Sequence, residues 1–508
     1  MKMFEKKRQH PAAILTNTIA NLRATIYPII LALIIGNRGE GDRIEELVLR
    51  IIIPIGLLVL NIVQGFISWW RFTYRLEDEE LRIESGLLFK KKRFIPFERI
   101  QSISVSQGII QRMFGLVKMS FETAGGLETE AELAAIPRRE AKEIEDYVKR
   151  AKKNLLIEDA SIVIELEHEG KPLSQKLEKP VECIYSMNFQ EVFLVALTSG
   201  GAIGVIVGIL AFLSEIGDII PINLFYDEAK ALLASGILIL IVTVLVVILL
   251  AYVIAIIRSV LKFANFKVEW DEENIMISHG VLEKKKTTVP LKRIQGIVID
   301  ENLIRGLFGY ATVYILNAGG SSVETGVDGR IMICPFIKKD RISTVITRCL
   351  PDYKIDVSYT PVPKRAKPLY ILRSIFSFRI AVAILLCVYF LKPWGLLSLF
   401  LIPLGAILGY IKFTFAGWSL TGEQLALRDR FLTKRTTYML KRRIQSLEVS
   451  QSYFQRLQKV STISGTVMSG FAGLNGKAVH IDEEDARFLY RWFSLEKDEP
   501  VKEELTTE

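Results

Sequence analysis

The chain has 508 residues, half of them hydrophobic and 24% charged, with a formal net charge of +9. Length alone points to about three domains. So much apolar sequence beside so many charges excludes one large soluble core and points to membrane segments joined to basic, polar domains. The four cysteines (Cys183, Cys334, Cys349, Cys387) have no CxxC spacing and read as free thiols. The four histidines (His10, His168, His279, His480) are not paired at metal spacing and read as surface residues.

From the N-terminus, the basic start Lys2, Lys6, Lys7, Arg8 enters hydrophobic sequence with no small-residue cleavage pattern, so no cleavable signal peptide is expected. A membrane-spanning helix takes about 20 apolar residues. Six candidates follow, at 14–35, 47–68, 190–213, 232–257, 371–391 and 394–415, grouped as three hairpins. The outer connections 36–46 and 214–231 are net negative, whereas the N-terminus and the blocks after each hairpin hold nearly all the Lys and Arg. The positive-inside bias then places both termini and every soluble block in the cytoplasm of a multi-pass protein of the cell membrane. Arg23, Gln190 and Arg379 stand near the start of each hairpin as candidate intramembrane polar groups. They either snorkel, with 14–22 and 369–378 as interfacial helices that turn inward at the arginine, or face a helix-bundle interior.

Each soluble block opens with period-two alternation, as in Phe72–Leu76 and Phe266–Trp270, and continues as short strands separated by polar turns. Gly86 and Gly280 share one repeat position that suits a turn needing positive φ, where the third block has Arg430. Arg-Ile-Gln recurs at Arg99–Gln101, Arg293–Gln295 and Arg443–Gln445, without a gap, at offsets of 194 and 150 residues. A short helical piece follows each time (about 108–114, 302–308, 452–458), and then another strand. After Ala124-Gly125-Gly126 the first block ends in an amphipathic helix with Ala141, Ile144 and Val148 along one face. The third ends similarly, with Asp482–Asp485 before Phe488, Leu489 and Trp492. The expected fold is therefore a polytopic α-helical membrane protein, six helices in three hairpins, with three cytoplasmic α+β rolls.

The boundaries expected are hairpins at 1–70, 189–262 and 369–415 and rolls at 71–153, 263–350 and 416–495. Linkers fall at 154–188 and 351–368, with an acidic tail at 496–508. The run Gly86-Leu87-Leu88, Ile95-Pro96, Arg99–Ser102, Phe114-Gly115-Leu116 and Thr123-Ala124-Gly125 resembles the bacterial pleckstrin-homology (PH) domain of the membrane-flanked type. The threefold arrangement is similar to the YdbT-like membrane proteins of Gram-positive bacteria. That resemblance implies PH-like rolls, association with a smaller one-repeat YdbS-like companion, and protection of the envelope against membrane-active peptides or stress. In the third copy Leu457-Gln458-Lys459 stands where Leu-Phe-Gly is expected.

Basic clusters recur at Lys90, Lys91, Lys92, Arg93, at Lys284, Lys285, Lys286 and at Lys434, Arg435. Each such cation near an anionic inner leaflet is attracted by about 1 kcal/mol. The clusters are candidate lipid-headgroup or partner contacts, against the plainer reading of non-specific membrane contact. No base-stacking aromatics accompany them, so nucleic acid is not an expected partner. No paired catalytic groups, P-loop or metal constellation occurs, so neither an enzyme nor a cofactor is expected. The favoured reading is a non-enzymatic scaffold whose rolls bind one another, a companion or the lipid surface. The alternative is a transporter or lipid-handling channel that uses the intramembrane polar residues.

Overall fold

The computed structural model describes residues 5–19, 21–22, 25, 52–77, 79–86, 89–123, 131–164, 182–198, 237–318, 329–469 and 473–494. Among them each repeat contributes seven strands. The first has β1 (Lys7–Arg8), β2 (Thr73–Glu77), β3 (Glu80–Ser85), β4 (Lys91–Pro96), β5 (Ile100–Gln107), β6 (Leu116–Thr123) and β7 (Ala131–Pro137). The second has β8 (Glu182–Ser186), β9 (Lys267–Trp270), β10 (Asn274–His279), β11 (Lys284–Pro290), β12 (Ile294–Glu301), β13 (Tyr310–Asn317) and β14 (Arg330–Lys338). The third has β15 (Thr360–Pro361), β16 (Gly417–Thr421), β17 (Gln424–Arg430), β18 (Lys434–Leu440), β19 (Ile444–Ser450), β20 (Val460–Val467) and β21 (Leu474–Asp482). The chain divides into two compact units, Met1–Pro290 and Leu291–Glu508.

In the first unit, β1-β2-β3-β4 form one antiparallel sheet and β7-β6-β5-β11-β10-β9-β8 a second. The second sheet therefore crosses from the first repeat into the next through β5 and β11. Tyr74, Leu81 and Ile95 of the first sheet share a core with Met119, Phe121 and Leu133 of the second. Ala141, Ile144 and Val148 of the helix Arg138–Ile164 bury the face that their spacing predicts. In the second unit, β14-β13-β12-β18-β17-β16-β15 form one sheet and β19-β20-β21 another. The crossing there is β12 to β18. The helix Glu483–Phe493 starts with the Asp482 carboxylate accepting from the Glu484 amide and buries Ala486 and Leu489, while Phe488 faces outward.

Arg-Ile-Gln is a device of this framework. Its Arg closes a 3₁₀ turn in every copy (Phe97–Arg99, Leu291–Arg293, Lys441–Arg443). Its Ile is buried each time, and its Gln is the extra residue of a β-bulge. Pairing jumps from Ile100↔Thr123 to Ser102↔Glu122, and the same jump falls at Ile294/Gly296 and Ile444/Ser446. A bulge bends its strand and sharpens the local twist, so the motif sets the direction of the long strand that follows.

Gly86 and Gly280 have φ of 125° and 98°, and a Cβ there would lie 1.9 and 2.0 Å from the carbonyl oxygens of Phe89 and Glu283. The third copy avoids that turn, with β17 running on to Arg430 and pairing it with Lys434. Lys459 does accept strain: it sits at φ 48° where Gly115 and Gly309 have 65° and 73°.

Three helical stretches are long and apolar enough to cross a membrane, Ile53–Arg71, Lys364–Tyr389 and Ser398–Phe415, over the second, fifth and sixth expected crossings. Six crossings are thus matched by three such stretches among the described residues. The helix Ile237–Phe263 overlies the fourth, Phe189–Thr198 begins the third, and most of the first and third lies outside the described residues. The fifth breaks at Phe376-Ser377, between Lys367–Ile375 and Phe378–Leu391, so a separate short helix precedes the apolar one. Gly405 and Gly409 let the last helix approach closely, since a Cβ on Gly409 would sit 2.7 Å from the Ile371 Cα.

A left-handed non-glycine residue costs about 1–2 kcal/mol, partly offset because glycine gains freedom in the unfolded chain. Lys459→Gly should therefore raise stability by up to about 1 kcal/mol, and Gly309→Lys should lower it by a similar amount. Both are read as shifts in thermal unfolding of the detergent-solubilised chain.

Candidate lipid and partner surface

The three basic clusters occupy one repeat position on or beside three strands, and among the described residues two of those strands are paired on both sides. β11 pairs with β5, with Lys284 opposite Gln107, Lys286 opposite Val105 and Thr287 opposite Ser104. The last two share a 3.2 Å hydroxyl hydrogen bond. β18 pairs with β12, with Lys434 opposite Glu301, Arg435 opposite Asp300 and Tyr438 opposite Ile297. The cluster 284–286 thus lies along a joint within the first unit, and Lys434 and Arg435 lie in a joint within the second.

The second joint is electrostatic. Lys434 Nζ donates to Glu301 at 2.7 Å, and Lys339 reaches the same carboxylate at 2.6 Å. Arg435 Nε donates to Asp300 at 2.9 Å, with Arg330 3.4 Å from its other oxygen. Burial raises the pKa of Glu301, but the hydrogen bonds and charges of Lys339 and Lys434 overcome this and hold it below the usual carboxylate range. Burial lowers Lys434, against the pull of Glu301. Lys434 and Arg435 therefore meet carboxylates of the preceding repeat, and it is this contact that the structure displays for them.

The first cluster differs. Lys90–Phe94 is exposed along its length. Lys90 contacts Glu84 at 2.8 Å and Lys6 contacts it at 3.1 Å, and these two ammonium groups bring the Glu84 carboxyl down to about 2. Of the other candidates, Gln190 is exposed in the first turn of Phe189–Thr198, and Arg379 is the second residue of Phe378–Leu391. Arg23 lies outside the described residues, as do the glycines of Ala-Gly-Gly at 125, 126, 319 and 320. Lys412 donates to Ser374 Oγ at 3.0 Å and lies over the Phe431 ring.

Several residues escape a reading of the sequence. Met113, Leu307 and Leu457 fall at one repeat position on the short helices Ile109–Met113, Leu303–Leu307 and Tyr453–Leu457, and are 77, 86 and 64% exposed. With Ile304, Phe308 and Phe454 they form apolar tips that solvent alone does not explain. The opposite side of each short helix carries a polar strap to the sheet. Gln111 donates to the Ala134 carbonyl, Arg305 to Thr312 and the Pro335 carbonyl, and Gln455 to Thr462. His480 is the correction among the histidines: it is buried, at φ 56°, with Nδ1 3.0 Å from Gln455 Nε2 and the Tyr370 ring across it. Burial, with a smaller push from Arg373, brings its pKa down to about 4. Asn61 is 1% exposed in the helix Ile53–Arg71 and donates to Thr25 Oγ1 at 2.9 Å. The signal for the tips and straps is visible only by aligning the three copies, since five residues are too few to show a helical period.

No group of three or more metal-ligating side chains occurs among the described residues, and all four cysteines are free. A family model described as bacterial PH domain matches residues 26–152, 196–350 and 370–497. The chain is also 36% identical over 503 residues to the UPF0699 transmembrane protein YdbT of Bacillus subtilis (strain 168), an alignment covering 97% of this chain and 99% of that protein.

Two outcomes are expected here. Removing one partner of a largely buried pair costs several kcal/mol, less where water reaches it. Asp300→Ala should therefore destabilise the chain by about 1–3 kcal/mol, and exchanging the charges as Glu301→Lys with Lys434→Glu should restore only part of what Glu301→Lys alone loses, because Lys339 then faces a lysine. Thermal unfolding checks both. For His480, the unfolded chain takes up a proton near pH 6.5 and the folded one only near 4. Its presence thus makes stability fall as pH drops through that window and level off below. His480→Gln should flatten this part of the pH–stability curve relative to the parent chain.

Proposed function

Because the chain belongs to the UPF0699 family of transmembrane proteins built from bacterial PH domains, we propose that it is a non-enzymatic, multi-pass membrane scaffold. Its PH-like rolls hold one another in register on the cytoplasmic side. The observation that carries the reading is sheet continuity from repeat to repeat, through β5·β11 and β12·β18. A chain that moved its repeats against each other to carry a substrate would have to break backbone ladders that span the joints.

The first strand of each repeat supports the membrane arrangement. β1 precedes the first hairpin segment and pairs with β2 after it; β8 and β9 do the same for the second, and β15 and β16 for the third. Strands that hydrogen-bond must lie on one side of a bilayer, so each intervening segment crosses an even number of times. Three two-helix hairpins satisfy that condition, and the net-negative outer connections favour strands on the cytoplasmic side.

The tips at Met113, Leu307 and Leu457 supply apolar contact with a lipid surface, and the exposed Lys90–Arg93 cluster supplies attraction to anionic headgroups. A smaller one-repeat companion of the YdbS type would be held by the same kind of strand pairing. The role that follows is mechanical support of the envelope against membrane-active peptides or stress.

The transporter reading has one specific observation behind it, the buried Asn61. Its hydrogen bonds to Thr25 and to the Leu57 carbonyl account for it as a polar link between helices, and the scaffold is favoured.

The test is complementation of a deletion strain challenged with a cationic membrane-permeabilising peptide. Asp300→Lys with Glu301→Lys, inserted at parental levels, should fail to protect. Arg23→Leu, Asn61→Leu and Arg379→Leu should each protect. The reverse pattern overturns the scaffold in favour of a polar pathway.

A further inference from the structure

Each internal joint brings an Arg-Ile-Gln strand of one repeat against the basic strand of the next, and the two joints use the same register. Gln107 opposes Lys284 in the first and Glu301 opposes Lys434 in the second. Gln107 and Glu301 are equivalent at the offset of 194 residues, and Lys284 and Lys434 at the offset of 150. The pattern leaves one basic strand and one Arg-Ile-Gln strand over. β4 ends its four-stranded sheet and β19 ends its three-stranded sheet, with no strand on the outer side of either among the described residues.

Both edges keep the chemistry of a joint. Phe94 on β4 is 55% exposed, whereas its equivalents Thr288 and Tyr438, inside joints, are 7 and 3% exposed. Val449 on β19 is likewise exposed, while its equivalent Ile299 is buried. Laid in the shared register, β4 and β19 would oppose Arg93 to Glu448, Lys92 to Val449, Lys91 to Ser450 and Phe94 to Leu447. That brings a cation to the carboxylate of β19 and covers the outlying aromatic. Lysines on an edge strand commonly prevent pairing. They do not prevent it in this fold, since β11 carries Lys284, Lys285 and Lys286 and is paired along their length.

We infer that β4 of one chain pairs with β19 of a second copy of this chain, adding a third joint of the same kind between molecules. The contact is head-to-tail, so it builds a closed ring or an open row according to the rotation per step, and strands confined to one side of a bilayer would array it along the membrane. The inference rests on the scaffold reading and names its partner. A chain that protects cells without forming this contact sinks the inference and leaves that reading standing.

Opposed residues in antiparallel strands lie about 4.5–5.5 Å apart at Cα, within disulfide reach. Two full-length chains with different tags, both carrying Cys183→Ser, are co-expressed, one with Arg93→Cys and the other with Glu448→Cys, and their membranes are mildly oxidised. A disulfide-linked dimer bearing both tags is expected, several-fold above the pair Lys284→Cys with Glu448→Cys. The same dimer should form after the two proteins are purified and reconstituted together. Three results overturn the inference. One is absence of the mixed dimer when both variants insert at parental levels. A second is a disulfide formed only within one chain when both cysteines are placed on it. The third is capture of Glu448→Cys solely by a different protein. As a check without cysteine, Arg93→Glu should reduce recovery of differently tagged parental chain in pull-down, and Glu448→Arg on that partner should restore it.

Discussion

Backbone hydrogen bonding between β5 and β11, and between β12 and β18, is what the remaining architecture depends on. A small roll of seven short strands has open sheet edges, and an unpaired edge exposes a row of amide and carbonyl groups that must find water or a partner. Here the edge of one repeat is completed by the next. The result is a pair of seven-stranded sheets, each shared by two repeats, so stability is distributed between neighbours as in other repeat architectures. The bulge at Arg-Ile-Gln serves the same end, because the strand it redirects is the one that forms the joint.

That dependence gives the charge distribution a second meaning. A lysine row read along one strand looks like a membrane-facing surface. When a strand of the preceding repeat lies beside it, the same row sits against Gln107, Ser106 and Val105 in one joint and against carboxylates in the other. Asp300 and Glu301 have no acidic counterparts in the first repeat, where Ser106 and Gln107 stand. The two joints thus share geometry and differ in chemistry. The first relies on hydroxyl and backbone contacts, and the second adds ion pairs whose low exposure makes them stronger than solvent-screened surface pairs.

Much of the roll was legible in the sequence. The gapless recurrence of Arg-Ile-Gln located the framework, Gly86 and Gly280 marked turns that only glycine fits, and the spacing of Ala141, Ile144 and Val148 chose the buried helix face. The neighbours of each strand were not legible. Period-two alternation tells which face of a strand is buried and carries no information about what lies along its edge, so the basic clusters could be located but not their partners. Segments set aside as linkers hold β8 and β15 for the same reason: two to five residues of strand, paired across a whole hairpin, leave almost no local pattern. His480 looked like a surface residue because a single histidine has no period, and its burial depends on Gln455 and Tyr370, both distant in sequence.

The departures of the third copy follow a physical logic of their own. Arg430 replaces the turn glycine and pairs with Lys434, and the Arg430 guanidinium lies 4.5 Å from the centre of the Phe415 ring at the end of the last membrane helix. Lys434 itself lies 5.8 Å from that ring and reaches Glu301 at the joint. The altered turn therefore links the membrane helix, the hairpin β17–β18 and the preceding repeat through one short stretch of side chains. The second copy keeps the glycine and ties its turn to the preceding helix through the backbone, Gly280 and Val281 donating to the Ala264 and Leu261 carbonyls. A repeat array normally closes with atypical, polar terminal repeats, and here the irregularity is spent on anchoring the last repeat inward to its hairpin and its neighbour. Its outer strand, β19, retains the Arg-Ile-Gln bulge and the exposed Val449 of a joint-forming strand. The divergence of the third copy thus stabilises its inner side while leaving its outer edge in the form that the repeat uses for pairing.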